Sequence, residues 1–166
     1  MLLEKDLSYI IQGCIYNVSN KYGKGLKENI YQNVLKEEFL AKGLKFESQK
    51  RIDIYSFDTG KKLGTYIPDF VIEDKIILEI KASYITIAQD IEQQLSYLRI
   101  SEYEIGYLVN FCSEDLYIKR FIFTNNRKSF LKTRKNTNEN TDEHKSKNTK
   151  NTNEHESKNT NEHKYD

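Results

Sequence analysis

Histidine is absent from residues 1–133 of this 166-residue chain; His144, His155 and His163 all lie beyond Arg134. Its absence excludes a Ser-His-Asp or Cys-His nucleophile system from that part, and any metal site built on imidazole. Cysteine is scarce as well: Cys14 and Cys112 are the only two, too few for a disulfide scaffold or a structural zinc cluster. No apolar run approaches the ~20 residues that span a bilayer, so no membrane partner is expected. The first residues lack a basic flank followed by an apolar stretch, so no secretory signal is read. With free thiols, the expected location is intracellular, in the cytoplasm. An excess of one charge is missing too, with 26 Lys+Arg against 25 Asp+Glu and a net charge of +1. Wholesale electrostatic adhesion to nucleic acid is therefore not expected, although a local patch remains open. The chemistry left to the chain runs on carboxylates, lysine, hydroxyls and backbone.

Residues 134–166 contain no Val, Ile, Leu, Phe, Met or Ala, and repeat Asn-Thr-Asn-Glu-His at 151–155 and 159–163. Such a segment cannot bury enough apolar surface to offset the entropy of ordering it. It reads as a disordered low-complexity tail after a domain at 1–133; a metal-binding histidine tract is the lesser reading. Within 1–133, Leu3, Leu7, Ile10, Ile11, Cys14, Ile15 and Val18 recur at helical spacing. Tyr22-Gly23-Lys24-Gly25 breaks that helix, and a second follows with Leu26, Ile30, Val34, Leu35 and Phe39 inward and Gly43 as its stop. Strands are expected over Phe46–Phe57, Leu63–Ile72 and Ile76–Lys81, a helix through Ile87–Leu98, and strands at Ile105–Phe111 and Tyr117–Phe123. That order, α-α-β-β-β-α-β-β, predicts an α/β (α+β) fold with a mixed central sheet flanked by helices.

One strand carries charges where a central strand should have none. In Ile76-Ile77-Leu78-Glu79-Ile80-Lys81, alternation puts Glu79 and Lys81 on one face with Ile77, and charges there need a partner or a purpose. Whether Asp69 joins them depends on register. A three-residue loop, Glu73-Asp74-Lys75, puts Asp69 opposite Glu79, whereas a two-residue loop turns it to the other face. Two facing carboxylates beside a lysine form a hard, all-oxygen site suited to Mg²⁺ or Mn²⁺. Such a metal would offset the repulsion between the acids and stabilise charge on phosphorus, while Lys81 orients a water or neutralises the phosphate.

Pro68-Asp69, nine intervening residues, then Glu79-Ile80-Lys81 resembles the signature of the PD-(D/E)XK nuclease superfamily. Gly25-Leu26-Lys27-Glu28-Asn29-Ile30-Tyr31 resembles the motif that names its GxxExxY branch. The similarity continues through Gln93-Gln94-Leu95-Ser96-Tyr97 to Ile118-Lys119-Arg120. The resemblance implies a restriction-endonuclease-like α-β-β-β-α-β core. It makes Glu28, Asp69 and Glu79 metal-site acids, Lys81 the catalytic lysine, and Gln93 a supporting residue on the following helix. Tyr31, one turn beyond Glu28, could support that carboxylate; as a packing aromatic it would not. Two departures from the family pattern are Lys24 where proline is frequent and Ser19 where histidine is frequent. The activity implied is metal-dependent hydrolysis of nucleic acid, DNA ahead of RNA, and pairing into a homodimer is an option the superfamily allows. The alternative is a nuclease-like fold that binds nucleic acid or protein without turnover. Between residues 119 and 135, the basic Lys119, Arg120, Arg127, Lys128 and Lys132 are followed by Arg134 and Lys135 with no acid among them. This run is the candidate phosphate-binding surface, without base-reading specificity.

Overall fold

The computed structural model describes residues 3–85 and 88–128. Residues up to Arg127 form one compact unit; the expected tail, 134–166, lies outside the described residues. Helix α1 spans Lys5–Tyr22 and α2 spans Glu28–Ala41. Strands follow at Phe46–Ser48 (β1), Ile52–Tyr55 (β2), Lys62–Tyr66 (β3), Phe70–Ile72 (β4) and Ile76–Lys81 (β5). Helix α3, Ala88–Ile100, leads to β6 at Ile105–Asn110 and β7 at Tyr117–Ile122. Five strands form one sheet in the order β1-β4-β5-β6-β7, and β2-β3 stand apart as a hairpin. β5 and β6 run parallel, connected through α3, while every other pair is antiparallel. The sheet is therefore mixed, as expected. None of the described helices is long and apolar enough to cross a membrane.

Alternation on β5 sorts the core into two layers. Ile76, Leu78 and Ile80 face α1 and α2, packing with Ile11, Ile15, Tyr31 and Leu35. Ile77 faces the other way, packing with Leu98 of α3, Leu108, Tyr66 and Phe121. The α2 stripe differs from the expected one. Ile30 is exposed, and Tyr31, Leu35 and Phe39 are the fully buried positions. Tyr31, Leu35 and Phe39, four residues apart, form the stripe that packs on the sheet, and Ile30 lies off it.

Two expected strands are each broken once. Phe46–Phe57 divides into β1 and β2, and Leu63–Ile72 into β3 and β4. The register nonetheless carries across the break. Ser48 faces Phe70 in one half and Ile52 faces Tyr66 in the other, so both halves share one register. The break falls where Gln49, at φ 55°, opposes Asp69 and its N–H donates to the Asp69 carbonyl at 3.0 Å. A left-handed residue opposite Pro68-Asp69, where proline offers no donor, ends the flat ladder. The β2-β3 hairpin departs there, and its inner face covers Ile77 and Leu98.

The α3 layer also holds a polar oddity. Gln94 is 1% exposed and its amide has no hydrogen-bond partner on either atom. It fits because Gly106 on β6 has no side chain; a Cβ there would lie 2.4 Å from the Gln94 amide nitrogen. An unpaired amide in an apolar layer costs about 1–3 kcal/mol. Gln94→Leu is therefore expected to stabilise the fold by roughly that amount, read as a higher urea midpoint at unchanged slope.

Candidate active site

The loop between β4 and β5 has three residues. Ile72 faces Ile76 and Phe70 faces Leu78, with Glu73 and Asp74 both in the left-handed region at φ 51° and 53°. Asp69, the next residue back, thus falls opposite Glu79, the productive one of the two registers open to the sequence. Its carboxylate is fixed from both sides. The Ile80 N–H donates to Oδ2 at 2.7 Å, and Gln32 Nε2 of α2 donates to Oδ1 at 2.7 Å. Glu79 is held by a different element, accepting a hydrogen bond from the Tyr66 hydroxyl on the β2-β3 hairpin. Tyr66 in turn stacks on Tyr97 of α3, with centroids 3.5 Å apart and planes at 8°. The bend at Asp69 that breaks the ladder also swings Tyr66 over Glu79.

Electrostatics couple these groups. Burial raises the Asp69 carboxyl above its ordinary value, against the pull of the Ile80 N–H and Lys81. Burial and the neighbouring Asp69 push Glu79 up to about 8, although the Tyr66 hydroxyl and Lys81 both favour its ionised form. Two like charges in a water-poor site cannot both ionise easily. Glu28 is raised by burial first and then by Asp69, and lowered by Lys81. Lys81 is thus the cation that acts on all three acids. Removing the Tyr66 hydroxyl takes away one of Glu79's compensations. Tyr66→Phe is expected to destabilise the fold by about 1–2 kcal/mol at pH 8 and by less at pH 5, by urea denaturation. At pH 5 the protonated Glu79 no longer needs a donor.

The turn before α2 places Glu28. Gly23 and Gly25 lie at φ 66° and 92°, a region open to glycine and strained for other residues. Tyr31 closes this turn: its hydroxyl donates to the Gly23 carbonyl at 2.7 Å and accepts from the Leu26 N–H at 3.4 Å. Its ring is fully buried and stacks on Phe111 at 4.3 Å. Tyr31 is therefore the packing aromatic, and it shapes the turn from which Glu28 starts the helix. The side chain that α2 sends to the carboxylates is Gln32, one turn past Glu28. The sequence reading missed Gln32 and Tyr66. The i, i+4 spacing of Glu28 and Gln32 was the available signal for the first; for Tyr66 there was none without the hairpin bend.

The remaining candidates are less concentrated. Gln93 on α3 is solvent-exposed and makes no hydrogen bond to the acids among the described residues. Lys119 and Arg120 point to opposite faces of β7. Lys119 lies over the Phe121 ring at 5.4 Å, and Arg120 reaches back to the Leu3 carbonyl. Arg127 lies over the Phe123 ring at 4.8 Å. Strand alternation thus divides the basic run between two surfaces. Lys128, the last described residue, is 2% exposed and so does not offer the expected phosphate contact; Lys132 lies outside the described residues.

The donor set suits a hard divalent cation: two adjacent, water-poor carboxylates whose burial and repulsion a positive charge would relieve. No three acid, cysteine or histidine side chains among the described residues converge into a ready metal shell. Mg²⁺ commonly takes only one or two protein carboxylates and completes its shell with water and phosphate oxygen.

A mixed sheet between helices, with Asp at the start of one strand and Glu-x-Lys on the next, defines a nuclease-like α/β domain. The family model of the PD-(D/E)XK nuclease superfamily matches residues 5–121, and the chain belongs to that superfamily. No curated protein and no solved structure matches it.

Proposed function

We propose that this chain is a divalent-metal-dependent nuclease of the GxxExxY branch, hydrolysing phosphodiester bonds in nucleic acid, DNA ahead of RNA. The observation that carries this reading is the β4–β5 register, which sets Asp69 against Glu79 with Lys81 on the same strand. Asp69 and Glu79 would hold Mg²⁺ or Mn²⁺, with Glu28 joining from α2. When bound, the metal would neutralise the carboxylate pair and stabilise negative charge developing on the phosphate. Lys81 holds the attacking water or the scissile phosphate by charge-assisted hydrogen bonds. Gln32 and the Ile80 N–H keep Asp69 oriented, and Tyr66 does the same for Glu79. The stack of Tyr66 on Tyr97 keeps water from that flank. Lys119, Arg120, Arg127 and Lys132 would contact phosphates away from the cut, and Gln93 would meet the strand at the exposed face of α3.

One observation favours a second reading. Glu28 does not close on the other two acids among the described residues, as expected for a nuclease-like fold that binds nucleic acid without turnover. Incubation with supercoiled plasmid, linear duplex, single-stranded DNA and RNA, in Mg²⁺, Mn²⁺ or EDTA, separates the two. Metal-dependent cutting supports the enzyme. Binding without cutting in either metal moves the binding module ahead.

A further inference from the structure

Lys81 leads out of β5 into a turn whose side chains do not suit an idle surface loop. Tyr84 is 89% exposed, the most exposed large apolar side chain among the described residues, and Ile85 beside it is 71% exposed. The backbone that presents them is tied down. Asn110, fully buried at the end of β6 and paired in register with Lys81, directs its amide at the turn. Its Oδ1 accepts from the Ser83 N–H at 3.2 Å and the Cys112 N–H at 3.1 Å, while its Nδ2 donates to Ser83 Oγ at 3.3 Å. The Ser83 hydroxyl then donates to the Ile85 carbonyl at 2.8 Å. A second anchor, the Phe111 N–H donating to the Lys81 carbonyl at 3.0 Å, fixes the strand end itself. The turn is thus held from the core while its tyrosine and isoleucine stand in water.

The surroundings narrow what such a pair could meet. No acid occurs from Lys81 to Ile87, so a polyanion is not repelled along this stretch. On the segment that carries Asp69, Ile67, two residues before it, is 46% exposed. Each of the two chain segments that carry the carboxylates thus runs within a few residues into exposed apolar side chains. A closed duplex presents sugars and phosphates to such a rim and keeps its base faces stacked on one another. An unpaired base offers a free π-face, which an exposed tyrosine engages without regard to sequence.

We infer that Tyr84, flanked by Ile85, is a stacking platform for an unpaired base beside the bond to be cut, so that the site takes single-stranded or unpaired nucleic acid in preference to closed duplex. This rests on the nuclease reading and names its substrate class. The stacking face is common to DNA and RNA bases, so both are covered, and the sugar is read elsewhere.

The full-length chain in EDTA, where cutting is off, can be titrated with single-stranded DNA, single-stranded RNA and a blunt duplex of one sequence. Each would carry 2-aminopurine as a stacking reporter. Tyr84→Ala is expected to weaken binding to both single strands by roughly tenfold, within the range for one base on an aromatic ring. It should abolish the 2-aminopurine quenching and leave duplex binding unchanged. Tyr84→Phe should keep both affinity and quenching. Because Tyr84 is exposed, the thermal midpoint of Tyr84→Ala should match the native chain. Single-strand binding that Tyr84→Ala does not alter, or an equal loss on the duplex, overturns the platform while leaving the nuclease reading in place. A native chain that binds none of the three overturns the platform, and if it also cuts nothing in Mg²⁺ or Mn²⁺ the nuclease reading falls with it.

Discussion

Lys81→Ala is expected to lower metal-dependent cleavage by about three orders of magnitude, the scale for losing a preorganised charge at a transition state. The same variant should bind nucleic acid in EDTA within about twofold of the native chain, because one phosphate contact among several is a small part of affinity. Its stability should fall: Lys81 is the cation that favours the ionised forms of Glu28, Asp69 and Glu79. A partly buried acid cluster without its lysine is less well compensated. Single-turnover cleavage, with urea denaturation of the same preparation, checks both halves. Loss of cleavage together with loss of nucleic-acid binding would instead make Lys81 a binding residue.

Glu79→Gln is expected to abolish cleavage and yet stabilise the metal-free protein. Burial and Asp69 hold the folded Glu79 carboxyl up to about 8, against an ordinary value of 4.5. Between those values the folded state keeps a proton that the unfolded state has released, so stability falls as pH rises through that window. Below the ordinary value both states are protonated and the penalty vanishes. In EDTA the native chain should lose about 2–4 kcal/mol between pH 5 and pH 8, and Glu79→Gln should flatten that slope. The amide keeps the shape and an acceptor for the Tyr66 hydroxyl without the charge. Denaturant midpoints across pH, for both proteins, measure the effect. A native slope that the substitution does not alter would show that the charge repulsion lies elsewhere.

The gain in stability and the loss of activity have one cause. Glu79 on β5 and Asp69 just before β4 are set opposite each other, where the fold alone would favour neutral residues. The tension is relieved by donors that reach in from separate elements: Gln32 from α2, the Ile80 N–H from β5, Tyr66 from the hairpin.

What the sequence could and could not tell follows from where each signal lives. Alternation on Ile76–Lys81 was local, so the shared face of Glu79 and Lys81 was legible. The register of Asp69 was legible only as a choice between two loops, because a turn length is not fixed by residue types alone. The strand break was not legible: Gln49 and Asp69 are distant in sequence, and only their pairing shows that the ladder bends between them. Tyr66 was missed for that reason, since it reaches Glu79 only through the bend, whereas Gln32 was within reach of the i, i+4 spacing from Glu28. Tyr31 was legible as a motif residue but ambiguous in role, because the sequence does not show whether a ring one turn past Glu28 packs inward or turns toward that carboxylate. The basic run after Lys119 looked continuous in sequence, yet strand alternation divides it.

The central claim is that the Asp69–Glu79 pair is the metal centre at which cleavage occurs. The most direct test is Mn²⁺ binding, followed by the resonance of free Mn²⁺, on the same preparations of native chain, Asp69→Asn and Glu79→Gln that are assayed on single-stranded DNA. The account predicts Mn²⁺ binding and Mn²⁺-dependent cutting by the native chain, and loss of both in each variant with the fold retained. Cutting that survives Asp69→Asn, or Mn²⁺ held as tightly by both variants as by the native chain, would contradict it.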